Sequence, residues 1–244
     1  MNHDGQSALP SVTRTLPQAE LFHRAIVGRV AKGQRVHCPE LTGKVEDGRP
    51  LCDGHRHAHM LPLDLDNDGR LDHIVVYAPM GLGDAAQRGI RTLRRTWTKG
   101  GVGNLQLAVA GSGDLEMLRR LPEPLAGEIE KLIGPREGSQ SWTSITPFVP
   151  PRFLKPRGKN SLLGQVNAEL ESRGFIHAEQ IDVLPKESTA LRHFVRRRQR
   201  SGDSPPVDVG YALRLTFAEP VFGPVSLGYA SHFGLGLFAG RVDQ

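Results

Sequence analysis

The chain has 244 residues, of which 38% are hydrophobic and 23% charged, and it contains two cysteines. This length and composition are typical of a globular protein with a buried core, in one large domain or two small ones. No apolar run approaches the length of a membrane span, and the N-terminus lacks a signal-peptide pattern. Two cysteines do not make a disulfide framework, so we expect a reducing, cytoplasmic location and no membrane partner.

The charge is basic and clustered. The net charge is +5 and the sequence pI is about 9.5, a balance that favours a polyanionic partner. A dense basic run spans Arg192 to Arg200, and Arg91, Arg94 and Arg95 lie close together on a predicted helix. Most charge runs are solvated surface. Because cations outnumber the nearby acids in these clusters, we expect contact with a nucleic acid.

The first half of the chain predicts a β-α-β-β-α-β order, which is the ferredoxin-like pattern. Its predicted elements are a strand at 11–15, a helix from Pro17 to about Val30, strands at 55–63 and 71–77, a helix at 83–96 and a strand at 104–110. Apolar residues recur at helical spacing after Pro17, and an Asp- and Gly-rich turn joins the two middle strands into a hairpin. We assign this half to a first unit, residues 8–134.

The second unit, residues 140–240, is predicted to follow a boundary near 135–139 that is rich in turn residues. Its predicted elements are a strand at 142–149, a helix at 161–173, extended segments at 175–184 and 192–198, and strands at 209–217 and 233–238. The segments 192–198 and 209–217 are predicted to pair as a hairpin that presents arginines. The pattern is less regular than that of the first unit. The predicted fold class is α+β, with two tandem ferredoxin-like (RRM-like) units.

The last folded stretch, Gly223 to Gly240, is rich in glycine. Glycine reaches positive φ at low cost and lets another backbone or a phosphate approach closely, and successive amides in such a loop can bind an anion. Two interpretations stay open, a loop that holds phosphates and a tight turn before a buried terminal strand. The spacing is not G-x-G-x-x-G and no P-loop pair follows, so we expect no nucleotide cofactor.

Three segments carry a family resemblance: Gly54–Asp66 (GHRHAHMLPLDLD), Thr146–Arg152 (TPFVPPR) and Ser226–Phe238 (SLGYASHFGLGLF). Together they resemble the precursor-CRISPR-RNA endoribonucleases of the RAMP superfamily, the sixth Cas family. The resemblance is closest to the endoribonuclease half of the fused Cascade subunit of type I-G (formerly I-U) systems, and it runs roughly from Leu9 to Phe238. The fused subunit carries an additional N-terminal backbone-binding half, for which this chain is too short.

The resemblance implies a metal-independent endoribonuclease that cleaves CRISPR repeat RNA. The product would stay bound as the 3′ handle of the guide RNA in a Cascade-like complex, so the implied partners are repeat RNA and other Cascade subunits. In this chemistry the 2′-hydroxyl attacks the adjacent phosphate and leaves a 2′,3′-cyclic phosphate and a 5′-hydroxyl. The protein must move two protons and stabilise phosphate charge. Histidine suits the proton transfers because its pKa lies near working pH.

The candidates for proton transfer in the first unit are His55, His57 and His59. If this segment is a strand, the period of two places all three on one face, with Arg56 between them. In the resembled family a catalytic histidine comes from the first ferredoxin-like unit, which agrees with this position. The residues leave two alternatives open, structural hydrogen bonding and a Zn²⁺ site completed by Asp72 or His73.

The glycine-rich stretch supplies two further candidates. His232 is a candidate for proton transfer, and Tyr229 for orienting the nucleophile or stacking on a base; capping and core packing are the alternatives. The predicted RNA contacts are Arg56, Lys155, Arg157, Lys159, Arg192, Arg196, Arg197, Arg198, Arg200, Gly228, Tyr229, Gly234 and Gly236.

The segment Asp64–Asp72 looks like the start of a calcium loop, but position 75 is valine where such a loop needs a bidentate glutamate. A charged hairpin turn is therefore favoured, and no residue is assigned as a metal ligand. Two rival functions stay open. One is a structural subunit that caps guide RNA without cutting it, and the other is a metal-dependent protein built on the histidine and aspartate clusters.

Overall fold

A computed structural model gives the structure at residues 9–31, 37–52, 55–96, 105–123, 125–198 and 204–241. The chain divides into two compact units, Met1–Ser112 and Gly113–Gln244. Both combine helices with antiparallel strands, which confirms the α+β class. Within these ranges no helix is both long and apolar enough to cross a membrane.

In its described residues the first unit consists of helices and two antiparallel pairs of short strands. Its elements are α1 (Thr15–Ala31), α2 (Pro39–Thr42), β1 (His59–Leu63), β2 (His73–Tyr77), α3 (Asp84–Thr92), β3 (Arg95–Thr96) and β4 (Leu105–Gln106). β1 pairs with β2, and β3 pairs with β4. α1 packs against β1 and α3 through buried side chains that include Leu16, Phe22 and Ile26. The predicted helix from Pro17 and the predicted first hairpin are therefore confirmed. The predicted helix at 83–96 is confirmed over α3 and is wrong at its end, where Arg95 and Thr96 form β3.

The predicted first strand at 11–15 is wrong. Val12–Arg14 is a 3-10 helix, and the Ser11 hydroxyl accepts a hydrogen bond from the Thr13 N–H at 3.3 Å. Short hydroxyl side chains bond to nearby amides in this way and so compete with strand pairing. What remains of the strand is an isolated antiparallel bridge between Ser11 and Arg70. In the described residues β1–β2 and β3–β4 form two separate sheets.

The second unit is built on a five-stranded antiparallel sheet with the order β6-β7-β5-β9-β8. Its elements are α4 (Leu115–Leu118), α5 (Leu125–Ile133), β5 (Ser139–Ser144), α6 (Leu162–Glu171), β6 (Gln180–Val183), α7 (Pro185–Ala190), β7 (Leu213–Val221), β8 (Val225–Ser226) and β9 (Leu237–Gly240). α5 packs against β9, so the division between the units falls ahead of the predicted boundary near 135–139.

The core of the second unit lies against β5 and α6. Trp142 on the central strand is fully buried, and its indole N–H donates to the Ser139 carbonyl oxygen at 3.0 Å. Val166 and Leu170 of α6 are fully buried in the same cluster. Ser161 caps α6 by accepting from the Gly164 N–H at 3.1 Å. The predicted helix at 161–173 is confirmed.

The predicted arginine hairpin is wrong. Leu191–His193 form a 3-10 helix after α7, and β7 pairs with β5 and β6 instead. The Arg196 side chain donates to the Arg192 carbonyl oxygen at 2.7 Å and to that of Phe194 at 3.2 Å. These bonds from the Arg196 side chain to the backbone of preceding residues hold the segment as a compact loop.

Two other strands lie elsewhere than predicted. β5 ends at Ser144, before Pro147, which lies inside the predicted strand at 142–149 and has no N–H to donate to a sheet. The final strand is β9 rather than 233–238, because Ser231–Phe233 form a 3-10 helix.

Candidate functional site

The histidine segment, residues 55–59, does not form the predicted strand face. β1 begins only at His59, and His55 has a φ of 64°, in the left-handed region. The turn at His55 breaks the period of two, so the prediction of three imidazoles on one strand face is wrong. The Ala58 N–H donates to the Glu40 carbonyl oxygen at 2.7 Å, which holds the chain against α2 instead.

The histidines of this segment lie in different environments. His59 is 5% exposed, with its Nε2 3.1 Å from the His55 carbonyl oxygen and its ring 6.3 Å from the Tyr77 ring. His55 and His57 are half-buried, and Arg56 is exposed. His59 is thus packed into the β1–β2 hairpin. The side chains of His55, Arg56 and His57 are partly or fully exposed and can contact a bound molecule.

The His57 ring lies against Gly43, which follows α2 with a φ of 63°. A Cβ at Gly43 would lie 2.7 Å from His57 Nε2, so this position requires glycine both for its conformation and for the close approach. Nearby in the chain, Cys38 is 3% exposed, and burial together with the Glu40 carboxylate raises the pKa of its thiol to about 12. Cys38 is therefore a neutral thiol at neutral pH and a poor nucleophile.

The acidic turn between β1 and β2 is closed by its own amides. Asp64 accepts from the Gly69 N–H at 2.8 Å, and Asp72 accepts from the Leu65 N–H at 3.1 Å. Three carboxylates, those of Asp64, Asp66 and Asp72, have oxygens within 4.8 Å of one another. The hydrogen bonds account for this grouping as a charged hairpin turn.

The glycine loop, residues 227–236, is bonded into the second unit along its backbone. The Gly236 N–H donates to the Pro147 carbonyl oxygen at 2.9 Å, and the Tyr229 N–H donates to that of Val149 at 2.9 Å. The glycines of the loop are buried. The segment after β5 and the glycine loop, which both carry the resemblance, are therefore in direct contact.

Close packing explains why glycine is needed in this loop. Gly228 has a φ of 88°, and a Cβ there would lie 2.6 Å from the Val149 carbonyl oxygen. Gly236 has a φ of 60°, and a Cβ there would overlap the Leu227 carbonyl oxygen. The Gly234 carbonyl accepts from a buried threonine hydroxyl at 2.8 Å. Since the Gly228, Tyr229 and Gly236 amides have partners inside the fold, side chains form the contact surface of the loop.

Two charged side chains hold the glycine loop from the interior. Glu169 accepts from the Gly228 N–H at 2.8 Å, and Arg173 donates to the Ser231 hydroxyl at 2.9 Å. The two side chains also form an ion pair at 3.0 Å, in which the Arg173 side chain is 7% exposed. Burial lowers the pKa of the Arg173 guanidinium, and Glu169 opposes that shift. A buried pair with hydrogen bonds to both partners fixes the loop in one position.

The side chains of Tyr229, His232 and Phe233 are half-buried on the glycine loop. The Arg198 guanidinium lies 4.5 Å from the centre of the Phe233 ring, which is a cation–π distance. The structure therefore brings Arg198 to the glycine loop, at Phe233, which follows His232 in the sequence.

Other arginines of the basic run have partners within the protein. Arg196 donates to Asp208 at 2.8 Å and is 17% exposed, while Arg197 lies 3.3 Å from the other oxygen of the same carboxylate and is 67% exposed. Arg192 is exposed, and Arg200 lies outside the described residues. One carboxylate thus offsets part of the positive charge in the middle of the run.

A second cationic segment, the basic loop at residues 152–160, joins β5 to α6. Its exposed cations are Arg152, Lys155, Arg157 and Lys159. No acidic residue lies between Glu137 and Glu169 in the sequence. Among the residues that the structure describes, none of these cations forms an ion pair. In the part of the chain that the structure describes, the basic loop is therefore a positive surface without ion-pair partners.

A buried amide fixes the backbone of the basic loop. Gln165 on α6 is fully buried, and its Nε2 donates to the carbonyl oxygens of Arg152 at 3.0 Å and Asn160 at 3.1 Å. Its Oε1 accepts from the Arg152 N–H at 3.0 Å. The loop is thus pre-formed, with its cations facing solvent.

Sequence reasoning missed Gln165, Glu169 and Arg173. The signal for Gln165 was its position next to Val166 on the inward face of a predicted amphipathic helix, where a polar residue needs buried partners. Glu169 and Arg173 have the spacing of an ordinary surface pair on a helix. Comparison of the chain with protein-family models, with curated proteins and with solved structures gives no match.

Proposed function

We propose that the protein binds RNA through its second unit and cleaves CRISPR repeat RNA by metal-independent attack of a 2′-hydroxyl. The observation that carries RNA binding is the basic loop, with four exposed cations that have no ion pair among the described residues and a backbone held by Gln165. Neutralisation of phosphates by lysine and arginine supplies most sequence-independent affinity for nucleic acid. Arginine also binds phosphate through paired hydrogen bonds.

The glycine loop is proposed as the second part of this interface. Because its backbone is bonded inside the fold, Tyr229, His232 and Phe233 are the groups that meet a ligand. Aromatic rings stack on unpaired bases, and Arg198 on the Phe233 ring adds positive charge at the same place. His232 is thereby a candidate for proton transfer near a bound phosphate.

The chemistry requires a base for the 2′-hydroxyl proton, an acid for the leaving 5′-oxygen and positive charge at the phosphate. We propose His55 and His57 as the candidates for proton transfer in the first unit, with Arg56 beside them as a source of charge. His232 is the separate candidate in the second unit. His59 is assigned a structural role because it is buried and packed near Tyr77.

The sheet order supports a ferredoxin-like assignment for the second unit. If β5, β6, β7 and β9 are counted as strands one to four, they lie in the order two, three, one, four, and α6 connects the first two strands. This is the split β-α-β arrangement, with the glycine loop in place of a second helix and β8 added at the edge. In the first unit the predicted first strand is replaced by a 3-10 helix, so the ferredoxin-like assignment stays a prediction there. By resemblance, we also propose a place in a Cascade-like complex.

The test is cleavage of a labelled CRISPR repeat hairpin in the presence of a chelator. We expect products that end in a 2′,3′-cyclic phosphate and begin with a 5′-hydroxyl. A matched RNA with a single 2′-deoxy residue before the cut should bind and stay intact. Alanine at each essential histidine among His55, His57 and His232 should slow cleavage about 10²- to 10⁴-fold while RNA affinity changes little.

Other outcomes separate the rival functions. Tight binding without cleavage would favour a structural subunit that caps guide RNA. Cleavage that stops in chelator and returns with a divalent cation would favour a metal-dependent nuclease. A protein that binds no RNA at low salt would contradict the proposal as a whole.

A further inference from the structure

Phe153 is a large apolar side chain left in solvent on the basic loop. It is 66% exposed, and its neighbours Arg152 and Lys155 are also exposed. Single exposed apolar residues are common and need no explanation by themselves. Phe153, however, lies in a loop that carries four exposed cations and whose backbone is bonded to the buried Gln165 side chain.

The backbone at Phe153 is held by the same buried amide as the rest of the basic loop. Gln165 Nε2 lies 3.4 Å from the Phe153 carbonyl oxygen, in addition to its shorter bonds to Arg152 and Asn160. A fully buried amide destabilises a protein unless its hydrogen bonds are made. The Gln165 side chain forms these bonds with Arg152, Phe153 and Asn160 of this loop, so the amide fixes the backbone from which Phe153 extends into solvent.

The charge around the ring selects the class of ligand. Four cations lie within the loop, and no acid occurs between Glu137 and Glu169 to neutralise them. A polyanion that also carries flat rings matches both the charge and the exposed phenyl face. Nucleic acid has these properties, whereas an acidic peptide matches the charge alone.

We propose that Phe153 is a stacking platform for an unpaired RNA base, with the cations of the basic loop on the phosphates beside it. The inference rests on the proposed RNA binding and adds the part of the RNA that is contacted. Bases inside an A-form stem are already stacked on each other, so the platform takes a nucleotide from a loop or a single-stranded flank. Stacking on an aromatic ring tolerates any base, so the site selects strandedness rather than sequence.

The experiment compares two RNAs that share one stem, one with unpaired flanking nucleotides and one blunt-ended. For Phe153→Ala we expect affinity for the flanked RNA to fall about tenfold, from the usual range of base–aromatic stacking. Affinity for the blunt RNA should not change, and Phe153→Trp should retain wild-type affinity for both. Phe222→Ala is the matched control, because Phe222 is 54% exposed in the same unit. It should leave both affinities unchanged.

The outcomes distinguish this inference from the proposed function. Wild-type protein that binds both RNAs with no loss in Phe153→Ala would overturn the platform and leave RNA binding in place. An equal loss for both RNAs would also overturn it, since it would point to a role in the loop and not in stacking. Displacement of the flanked RNA by a polyglutamate peptide in a Phe153-dependent way would favour an acidic protein partner. Wild-type protein that binds neither RNA would overturn the proposed function as well.

Discussion

The glycine loop is held along its backbone and from the interior, whereas the histidine segment is held against α2 and leaves the strand. In the glycine loop, backbone N–H groups donate to the Pro147 and Val149 carbonyl oxygens. The Glu169–Arg173 ion pair also forms hydrogen bonds with the loop. In the histidine segment, the chain turns at His55 and enters the sheet only at His59.

The two segments therefore offer different groups to a ligand. A loop whose amides are bonded internally acts as a scaffold that positions its few outward side chains. A segment that leaves the sheet keeps several polar side chains at the surface. We therefore expect substitutions in the glycine loop to change stability first, and substitutions at His55 or His57 to change activity first.

The largest expected effect is that of Glu169→Ala. The change leaves the Arg173 charge buried without its carboxylate and leaves the Gly228 N–H without its acceptor. Breaking a buried pair from one side costs about 3–5 kcal/mol in free energy of unfolding. Urea denaturation measures this change in the free energy of unfolding. Glu171→Ala is the control on the same helix, since the Glu171 side chain is 76% exposed. Equal stability of the two variants would show that the pair does not anchor the loop.

Gly236→Ala should come next. A Cβ would overlap the Leu227 carbonyl oxygen at a φ of 60°. The left-handed conformation and the overlap together cost about 2–5 kcal/mol. Gly28→Ala should change the free energy of unfolding in the opposite direction, because Gly28 lies inside α1 with open space around it. That change should stabilise by about 0.5–1 kcal/mol. A Gly236→Ala protein as stable as wild type would contradict the packing described for the loop.

Local patterns predicted most helices and the β1–β2 hairpin, because amphipathic spacing and turn residues act over a few positions. They failed where a side chain bonds to nearby backbone. The Ser11 hydroxyl turns a predicted strand into a 3-10 helix, and the Arg196 guanidinium folds its own segment into a loop. Periodicity does not detect such bonds, since both segments have residues acceptable in a strand.

The site was predicted less completely than the fold, since charges can be counted from a sequence but their partners cannot. The basic run contains more arginines than the basic loop, yet Asp208 pairs with Arg196 and Arg197. Lys155 and its neighbours have no comparable acid nearby in sequence. Burial of Gln165 and Arg173 depends on the packing of α6 against the sheet, which local patterns do not specify.

His59→Ala tests the other side of the comparison. His59 is buried near Tyr77 and bonded to the His55 carbonyl. Its loss should reduce the free energy of unfolding by about 1–3 kcal/mol. His55→Ala, at a half-buried position with positive φ, is the companion variant, and we expect its main effect on cleavage. A His59→Ala protein with full stability and no activity would reverse the two assignments.

The smallest expected effect is the pH dependence of stability that comes from Cys38, the residue before α2. The pKa of Cys38 is raised from 9.0 to about 12 by burial and by Glu40, whose carbonyl accepts from the Ala58 N–H. Below pH 9 both folded and unfolded chains keep the thiol proton, so this contribution to stability is complete. Between pH 9 and 12 the unfolded chain releases the proton first, and the free energy of unfolding falls as pH rises.

By pH 10, one unit above the ordinary thiol pKa of 9.0, this loss should reach about 1.4 kcal/mol, because one pKa unit corresponds to that free energy. Other groups titrate in this range, so the quantity to measure is the difference between wild type and Cys38→Ala in urea denaturation at each pH. That difference should shrink from pH 8 to pH 10. Cys52→Ala, at an exposed thiol, should give no such change. A pH-independent difference for Cys38→Ala would mean that the thiolate is tolerated before α2, at a site more open to water than the 3% exposure of Cys38 indicates.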